Sequence, residues 1–370
     1  MEVATLTDTS SLSLPPDSYI YKILQVDSKI AAISSDNSLR VIDSTSLKEI
    51  RDGIIDNVHA GVTCLEALRN DRSVFWTAGR DAVVRSWDLR LGKSTLDLSD
   101  DSNAPYLSLC VDDHCIVVGT ELSHTQATVI LWDNRAPGKP IRRYIESHND
   151  DVTELQFHPQ SRGTLLSGST DGLVNIYNTA EADEDEALSQ VANHGSSIHH
   201  AGFLSNSHFF ALSHDETFSV YHLESQDDSA LDVLPQVCGD IRPKLQCEYV
   251  VSVIPYIGSG KAILGVGSLS QQNLDLVPLR YADTWSFDLK STIRLPGAHG
   301  EDIVRSMCTD HDTVFTAGED GLIRAWRADT EQAQKHMQGA EATTENDKRK
   351  QRKRKDHAAG GDPTGRFKPY

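Results

Sequence analysis

The sequence lacks the features that mark several large classes of protein. Its six cysteines include no Cys-x-x-Cys pair, which argues against a zinc ribbon and against a disulfide-rich scaffold. It contains no run of about 18 uncharged apolar residues, and its first residues are polar and acidic. We therefore expect no membrane span and no secretion, and we expect the cysteines to be reduced and mostly buried.

Positive charge is scarce outside the C-terminal residues. The chain carries 35 Lys or Arg and 54 Asp or Glu, which gives a net charge of −19. Residues 346–370 hold nine of the basic and three of the acidic side chains, so residues 1–345 carry a net charge of −25. Such a body should repel nucleic acid and attract basic proteins, although a generic acidic surface is an equally simple explanation.

One sequence pattern recurs with a period near 45 residues. Each copy has a strand that ends in small residues, a tight turn containing Asp, and an alternating strand that closes on a large apolar residue. The regularly spaced closing residues are Ile42, Trp87, Trp132, Tyr177 and Tyr221. The next one, Trp326, follows 105 residues later, which leaves room for a degenerate sixth unit over residues 262–277. The count is seven units.

A period near 45 residues with four short strands per unit is typical of a β-propeller blade. The Trp-Asp ends of two units, at Trp87 and Trp132, resemble the WD40 repeat family, and the resemblance covers residues 1–330. It implies an all-β, seven-bladed WD40 β-propeller.

The two ends of the chain should differ in structure. No fourth strand is evident after Trp326, so we predict that residues 3–13 supply it and close the ring. We predict a polar, helix-prone linker over residues 331–345 and a disordered basic tail over residues 346–370.

The family resemblance also implies a polar quartet inside each complete unit: His, Ser or Thr, Asp, and the closing aromatic residue. Three units match it, with the hydroxyl residue four positions before the Asp and the Asp six before the aromatic. They are His59, Thr77, Asp81 and Trp87; His148, Ser167, Asp171 and Tyr177; and His299, Thr316, Asp320 and Trp326. The fifth unit keeps His194, Asp215 and Tyr221 but has Ala211 at the hydroxyl position, so we expect a weaker network there.

A set of Ser, His and Asp could instead indicate a hydrolase triad. A catalytic set is expected once, near a pocket, whereas this set recurs in several units. Its members can satisfy one another's buried polar groups, which avoids a cost of about 1–3 kcal/mol per group. We therefore predict that the protein is not an enzyme, with no catalytic residue, no cofactor and no metal site, including at the pair His199-His200.

Departures from the repeat mark the places where a partner could bind. They are an insertion at residues 121–128, an acidic stretch at residues 181–186 and a long irregular span at residues 235–248. The face on which loops lead into the first strand of each unit is the default partner site of the family. The partner-binding residues that we predict are Asp151, Ser196, Asp302, Glu184, Asp185 and Glu186. A merely solvated acidic loop is the alternative.

Two units end in Trp-Asp-x-Arg. The residues are Trp87, Asp88 and Arg90, and Trp132, Asp133 and Arg135. In some WD40 proteins this motif resembles the box that docks on the adaptor of a cullin-4 ubiquitin ligase, so a ligase substrate receptor is the alternative function. The arginine could equally pair with an Asp of its own unit.

A basic run near the C-terminus has seven positive charges in eight positions. A block of like charge repels itself and stays unfolded. The residues are Lys348, Arg349, Lys350, Arg352, Lys353, Arg354 and Lys355. We predict a nuclear or nucleolar localisation signal, with the cytoplasm as a second location; RNA contact by this tail and a solubilising extension are the alternatives.

Within the WD40 family, the chain is similar to the WD repeat-containing protein 89 subfamily. The similarity rests on residues 148–177, the acidic stretch soon after them, the insertion at residues 121–128 and the basic C-terminus. It implies a type of module rather than a reaction. We predict a non-catalytic protein-interaction scaffold in the nucleus that binds a basic client such as a histone or a ribosomal protein.

Overall fold

The structure is a computed structural model that describes residues 1–68, 73–91, 93–224 and 233–328. The predicted linker, the basic tail and the localisation run lie outside the described residues. The described residues form 29 strands, and 28 of them make seven four-stranded blades. The second and third strands of most blades are buried on both faces, whereas the outer strands have more exposed side chains. The predicted all-β, seven-bladed propeller is therefore confirmed.

Blades one to five are separate antiparallel sheets whose strands pair in chain order. Blade one contains β2 (Ile20–Val26), β3 (Lys29–Ser34), β4 (Leu39–Asp43) and β5 (Glu49–Ile55), and blade two contains β6 (Val62–Ala67), β7 (Val74–Gly79), β8 (Val83–Asp88) and β9 (Lys93–Ser99). Blade three contains β10 (Tyr106–Val111), β11 (Cys115–Thr120), β12 (Val129–Asp133) and β13 (Arg142–Tyr144). Blade four contains β14 (Val152–Phe157), β15 (Thr164–Ser169), β16 (Leu173–Asn178) and β17 (Leu188–Asn193), and blade five contains β18 (Ile198–Phe203), β19 (His208–Ser213), β20 (Thr217–His222) and β21 (Gln236–Asp240).

Blades six and seven share one sheet that the N-terminal strand completes. Blade six contains β22 (Tyr249–Tyr256), β23 (Lys261–Ser268), β24 (Asn273–Tyr281) and β26 (Ile293–Pro296), with the short β25 (Trp285–Phe287) paired to the end of β24. Blade seven contains β27 (Val304–Asp310), β28 (Thr313–Gly318), β29 (Ile323–Ala328) and β1 (Glu2–Ser10). Strand β1 lies between β29 and β26 and pairs in parallel with β26. The prediction that the N-terminus closes the ring is confirmed.

Helices are few and short in the described part of the chain. They are α1 (Glu184–Ala187), α2 (Arg242–Leu245) and one 3-10 turn at Leu289–Ser291. No helix among the described residues is long and apolar enough to span a bilayer. The prediction of an irregular span at residues 235–248 was wrong, because this span contains β21, the outer strand of blade five, followed by α2.

The core lies between neighbouring blades. Blades two and three, for example, bury Trp76 and Val84 of one sheet against Ile116 and Trp132 of the next. All six cysteines are free thiols. Cys64 and Cys110 are buried and the other four are partly buried, so the prediction of mostly buried cysteines was too strong.

Candidate functional site

The order of the strands gives the propeller two loop faces. In an antiparallel blade, the turn between the second and third strands and the connection to the next blade lie at the same end. We call the side that carries these segments the loop face, and the side that carries the remaining connections the opposite face. The insertion at residues 121–128 is such a turn, so it belongs to the loop face.

The loop face carries most of the unbalanced negative charge. Its connections contain eighteen Asp or Glu and three Lys or Arg. The acidic residues are Asp17, Asp36, Asp56, Asp81, Asp100, Asp101, Glu121, Glu146, Asp150, Asp151, Asp171, Asp215, Glu216, Glu248, Glu301, Asp302, Glu319 and Asp320. The described connections of the opposite face contain twelve acidic and six basic residues, so their imbalance is less than half as large.

Some of the carboxylates on the loop face are neutralised by basic neighbours. Glu121 lies 3.0 Å from Arg80, and Asp100 and Glu319 pair with arginines on nearby strands. Five others are exposed and accept no hydrogen bond or ion pair from the residues that the structure describes. These are Asp17, Asp101, Glu146, Glu301 and Asp302.

The polar quartet of blade two is a continuous chain of hydrogen bonds. His59 Nδ1 lies 2.8 Å from Asp81 Oδ1, and His59 Nε2 lies 2.8 Å from Thr77 Oγ1. Trp87 Nε1 donates to Thr77 Oγ1 over 2.8 Å. Burial opposes ionisation of Asp81, but hydrogen bonds from Arg85 and His59 outweigh it and lower the pKa of the carboxyl group. Each polar group therefore has a partner, as a buried network requires.

The quartet of blade four ends in a tyrosine instead of a tryptophan. His148 Nδ1 lies 3.0 Å from Asp171 Oδ2, and His148 Nε2 lies 2.6 Å from Ser167 Oγ. The Tyr177 hydroxyl lies 3.3 Å from Ser167 Oγ and donates to Ser147 Oγ over 2.8 Å. The tyrosine thus extends the network into the loop that precedes His148.

The quartet of blade seven repeats the arrangement of blade two. His299 Nδ1 lies 2.7 Å from Asp320 Oδ1, and His299 Nε2 lies 2.8 Å from Thr316 Oγ1. Trp326 Nε1 donates to Thr316 Oγ1 over 3.0 Å. All three histidines have buried side chains, so these constellations lie inside the blades.

Blade five has Ala211 at the hydroxyl position, and its histidine bonds other residues instead. His194 Nε2 lies 2.9 Å from Thr217 Oγ1, and His194 Nδ1 lies 3.3 Å from the Tyr221 hydroxyl. Asp215 is not bonded to this histidine; it accepts a hydrogen bond from Ser196 over 2.7 Å. The network is therefore split into two parts.

In each of three blades, an arginine that the predicted quartet did not include bonds the Asp of the tight turn. Arg85 donates to Asp81 over 2.9 Å, and Arg324 donates to Asp320 in the same way. Arg40 of blade one bonds Asp36 over 3.0 Å although that blade has no quartet. The spacing Asp-x-x-x-Arg was present in the sequence and could have revealed these pairs.

The three predicted partner residues that follow a loop histidine all lie on the loop face, but they differ in availability. Asp302 is exposed. Asp151 accepts the backbone N–H of Leu122 over 2.7 Å, which ties it to the inserted turn of blade three. Ser196 donates to Asp215. Of the three, Asp302 alone has a side chain with no hydrogen bond or ion pair to the described part of the chain.

The acidic stretch is divided in role. Glu184 is partly buried, and its carboxylate accepts three backbone N–H groups from residues 145–147. Asp185 and Glu186 are exposed, and their backbone N–H groups are capped by Asp183. The stretch connects β16 to β17, so the chain enters and leaves it on the opposite face.

The two Trp-Asp-x-Arg motifs form matching ion pairs. Arg90 donates to both carboxylate oxygens of Asp88, at 2.9 Å and 2.6 Å, and Arg135 binds Asp133 with distances of 3.0 Å and 2.8 Å. Hydrogen bonds from Arg135 lower the pKa of Asp133 to about 2. The side chains of Arg90 and Arg135 remain 65% and 67% exposed on the opposite face.

The central channel has a volume of about 820 Å³ and is lined by the innermost strands of all seven blades. Two ion pairs in its lining join adjacent blades, with Lys22 Nζ 2.9 Å from Glu66 and His200 Nδ1 2.7 Å from Glu154. Burial opposes protonation of His200, but Glu154 outweighs it and raises the pKa of the imidazole. These ion pairs therefore link neighbouring blades.

Comparisons with known proteins agree with this architecture. The family profile "WD domain, G-beta repeat" matches residues 138–178 and 290–327, which include most of blades four and seven. A WD repeat-containing protein of Saccharomyces cerevisiae is 32% identical over 298 residues, 79% of this chain and 74% of that protein. One of Schizosaccharomyces pombe is 30% identical over 336 residues, 88% of this chain and 100% of that protein. The WD repeat-containing protein 89 homolog of Dictyostelium discoideum is 25% identical over 209 residues, 55% of each chain.

Seven blades, three of which contain a complete polar quartet, define a β-propeller of the WD40 class. The identities to the two yeast proteins place the chain within that class: it belongs to the WD repeat family. The predicted similarity to the WD repeat-containing protein 89 subfamily is also confirmed. WD repeat proteins are generally scaffolds for protein–protein interactions.

Proposed function

We propose that this propeller is a non-catalytic scaffold that binds a basic nuclear protein, such as a histone or a ribosomal protein, on its loop face. The observation that carries the proposal is the excess of carboxylates on that face, eighteen against three basic side chains. Five of these carboxylates are exposed and unpaired among the described residues. A field of one sign over a rigid surface speeds the approach of an oppositely charged partner.

Binding to core histones at low and high salt tests the proposal. Raising the ionic strength from about 0.05 M to about 0.3 M shortens the Debye length, so the affinity should fall steeply. The loop-face variant Glu301→Gln with Asp302→Asn should bind more weakly at low salt. The matched control, Asp283→Asn with Asp312→Asn, removes the same charge from exposed positions of the opposite face. An affinity independent of salt, or an equal loss in both variants, would contradict the proposal.

The nuclear location depends on the basic run at residues 348–355. Basic runs of this length are typical of nuclear localisation signals. A tagged full-length protein and a version without residues 346–370 should be imaged in the same cells. The shortened protein should shift to the cytoplasm, whereas unchanged nuclear signal would refute the role of the run.

The second candidate function is that of a substrate receptor for a cullin-4 ubiquitin ligase. It is favoured by the two matching arginine–aspartate pairs on adjacent blades, which present exposed guanidinium groups on the same face. The ligase adaptor should co-purify with the protein, and Arg90→Ala with Arg135→Ala should abolish this.

Arg242→Ala is the matched control for that experiment. Arg242 makes the same bidentate pair with Asp240 two residues before it, at 3.0 Å and 2.9 Å, but lies on the loop face. This variant should retain the adaptor. If the unmodified protein brings down no adaptor, the receptor function fails.

A further inference from the structure

Glu184 makes an unusual set of contacts for a residue in an acidic surface stretch. Its Oε2 accepts the N–H of Ile145 over 2.6 Å, and its Oε1 accepts the N–H groups of Glu146 and Ser147, both over 2.9 Å. Three hydrogen bonds to one ionised carboxylate are strong because the acceptor is charged. The carboxylate is thus engaged by the chain's own backbone, although it lies 37 to 39 residues away in sequence.

The segment that Glu184 holds is the start of a connection on the loop face. Residues 145–151 link blade three to blade four and carry three carboxylates, those of Glu146, Asp150 and Asp151. The Glu146 side chain is exposed, whereas Asp151 binds the inserted turn of blade three. Glu184 therefore sets the backbone of the segment from which part of the acidic surface projects.

Ser147 links this contact to the quartet of blade four. Its hydroxyl accepts from Tyr177 over 2.8 Å, and its carbonyl accepts from Asn175 Nδ2, also over 2.8 Å. Glu184 bonds the N–H of the same residue, so Ser147 is held from both sides. Removal of Glu184 would leave residues 145 and 146 without these bonds while the quartet keeps its own hydrogen bonds.

The neighbours of Glu184 provide a contrast. Asp185 and Glu186 are exposed, and their carboxylates accept no hydrogen bond from the described residues. All three residues contribute one negative charge each. A client attracted by charge alone would respond to them equally, whereas a client that needs an ordered loop would respond to Glu184.

We propose that Glu184 is a positioning residue, which orders residues 145–151 in the conformation that a basic client binds. This inference rests on the function proposed above and names the part of the acidic stretch that matters. Disorder in this loop adds an ordering cost to binding, which corresponds to a three- to tenfold weaker affinity, about the cost of fixing one or two side chains.

The experiment compares four full-length proteins: the unmodified chain, Glu184→Ala, Glu184→Gln and Asp185→Ala. Affinity for core histones is measured at low salt, and amide hydrogen exchange of residues 145–147 is measured without histones. Glu184→Ala should speed exchange at these amides and weaken binding about three- to tenfold. Glu184→Gln keeps one acceptor oxygen and should restore part of both properties. Asp185→Ala should leave exchange unchanged and affinity within about twofold.

Equal weakening by Glu184→Ala, Glu184→Gln and Asp185→Ala would show that the stretch acts through charge alone and would overturn the inference. Faster exchange with unchanged affinity would overturn it as well, because the contact would then be purely structural. If the unmodified protein binds no histones, the proposed function is what fails, and the exchange data still decide whether Glu184 holds the loop.

Discussion

Blades two and three are neighbours that both end in Trp-Asp, yet only one of them has a polar quartet. In blade two, the indole N–H of Trp87 donates to Thr77. In blade three, the equivalent position is Val118, and the buried indole N–H of Trp132 has no acceptor in the described part of the chain. Both blades nevertheless form four strands with the same register at the tryptophan. Apolar packing is therefore sufficient to form a blade, and we expect the quartet to add stability to it.

Closure of the ring should matter more than any quartet. Deletion of residues 1–10 removes β1, which pairs with both β29 and β26. We expect a loss of about 5 kcal/mol or more in the free energy of unfolding, since each backbone hydrogen bond contributes about 1 kcal/mol. Urea unfolding and light scattering measure this. The control Val3→Thr with Leu6→Thr changes two exposed side chains and keeps the strand. A deletion that leaves the urea midpoint unchanged would mean that the blade does not depend on β1.

The difference between the two blades can be tested by giving blade two the valine that blade three has at the equivalent position. Thr77→Val leaves His59 Nε2 and Trp87 Nε1 without partners, so we expect a loss of about 2–4 kcal/mol in urea unfolding. Thr5→Val makes the same change at an exposed position of β1, where the hydroxyl accepts and donates no hydrogen bond among the described residues, and should cost less than about 0.5 kcal/mol. Similar effects of the two substitutions would show that the quartet contributes little.

Blade two should also respond to acid in a way that blade three does not. Burial lowers the pKa of His59, and the charge of Asp81 offsets this only in part. Below about pH 6.5 the unfolded chain takes up a proton that native His59 does not. The stability that His59 provides is thus present above that pH and is lost as the pH falls towards its native pKa.

The change His59→Gln tests this pH dependence. The variant should lose less stability than the unmodified protein between pH 7 and pH 5, as measured by urea unfolding at each pH. His311→Gln alters an exposed histidine and should leave the slope unchanged. A slope that is identical in all three proteins would contradict the assignment.

The smallest effect is expected when blade three receives the residue of blade two. Val118→Thr offers the Trp132 indole an acceptor, but no histidine accepts the proton of the new hydroxyl. The gain from the new hydrogen bond to the indole and the cost of burying a hydroxyl group should nearly cancel, so the free energy of unfolding should change by less than about 1 kcal/mol. The indole N–H of Trp132 should exchange more slowly in NMR. A loss as large as that of Thr77→Val would show that blade three excludes a polar group.

The repeat period and the quartet spacing predicted most of the architecture, because both are local patterns that recur along the chain, the strand pattern in nearly every blade and the quartet in three of them. The outer strand of blade five was missed because β21 has only partly buried or exposed residues, so its alternation is weak. An outer strand pairs with one neighbouring strand and faces solvent on its other edge, so its sequence has fewer buried apolar residues from which a strand can be predicted.

The candidate site was harder to predict. Asp302 could be placed on the loop face from its position after His299, whereas the contacts of Glu184 depend on the path of a nine-residue connection between β16 and β17. No local pattern reports such a contact. The difference in charge between the two faces, in contrast, depends only on which connections lie on which face, and the strand boundaries determine this.

A double-mutant cycle between Thr77→Val and Trp87→Phe tests most directly whether the quartets act as internal supports. The cycle cancels the loss of packing that the smaller phenylalanine ring causes, so the coupling free energy reports the hydrogen bond between the Thr77 and Trp87 side chains. We predict a coupling of about 1–2 kcal/mol in the free energy of unfolding. Additive effects, with no coupling, would contradict the account.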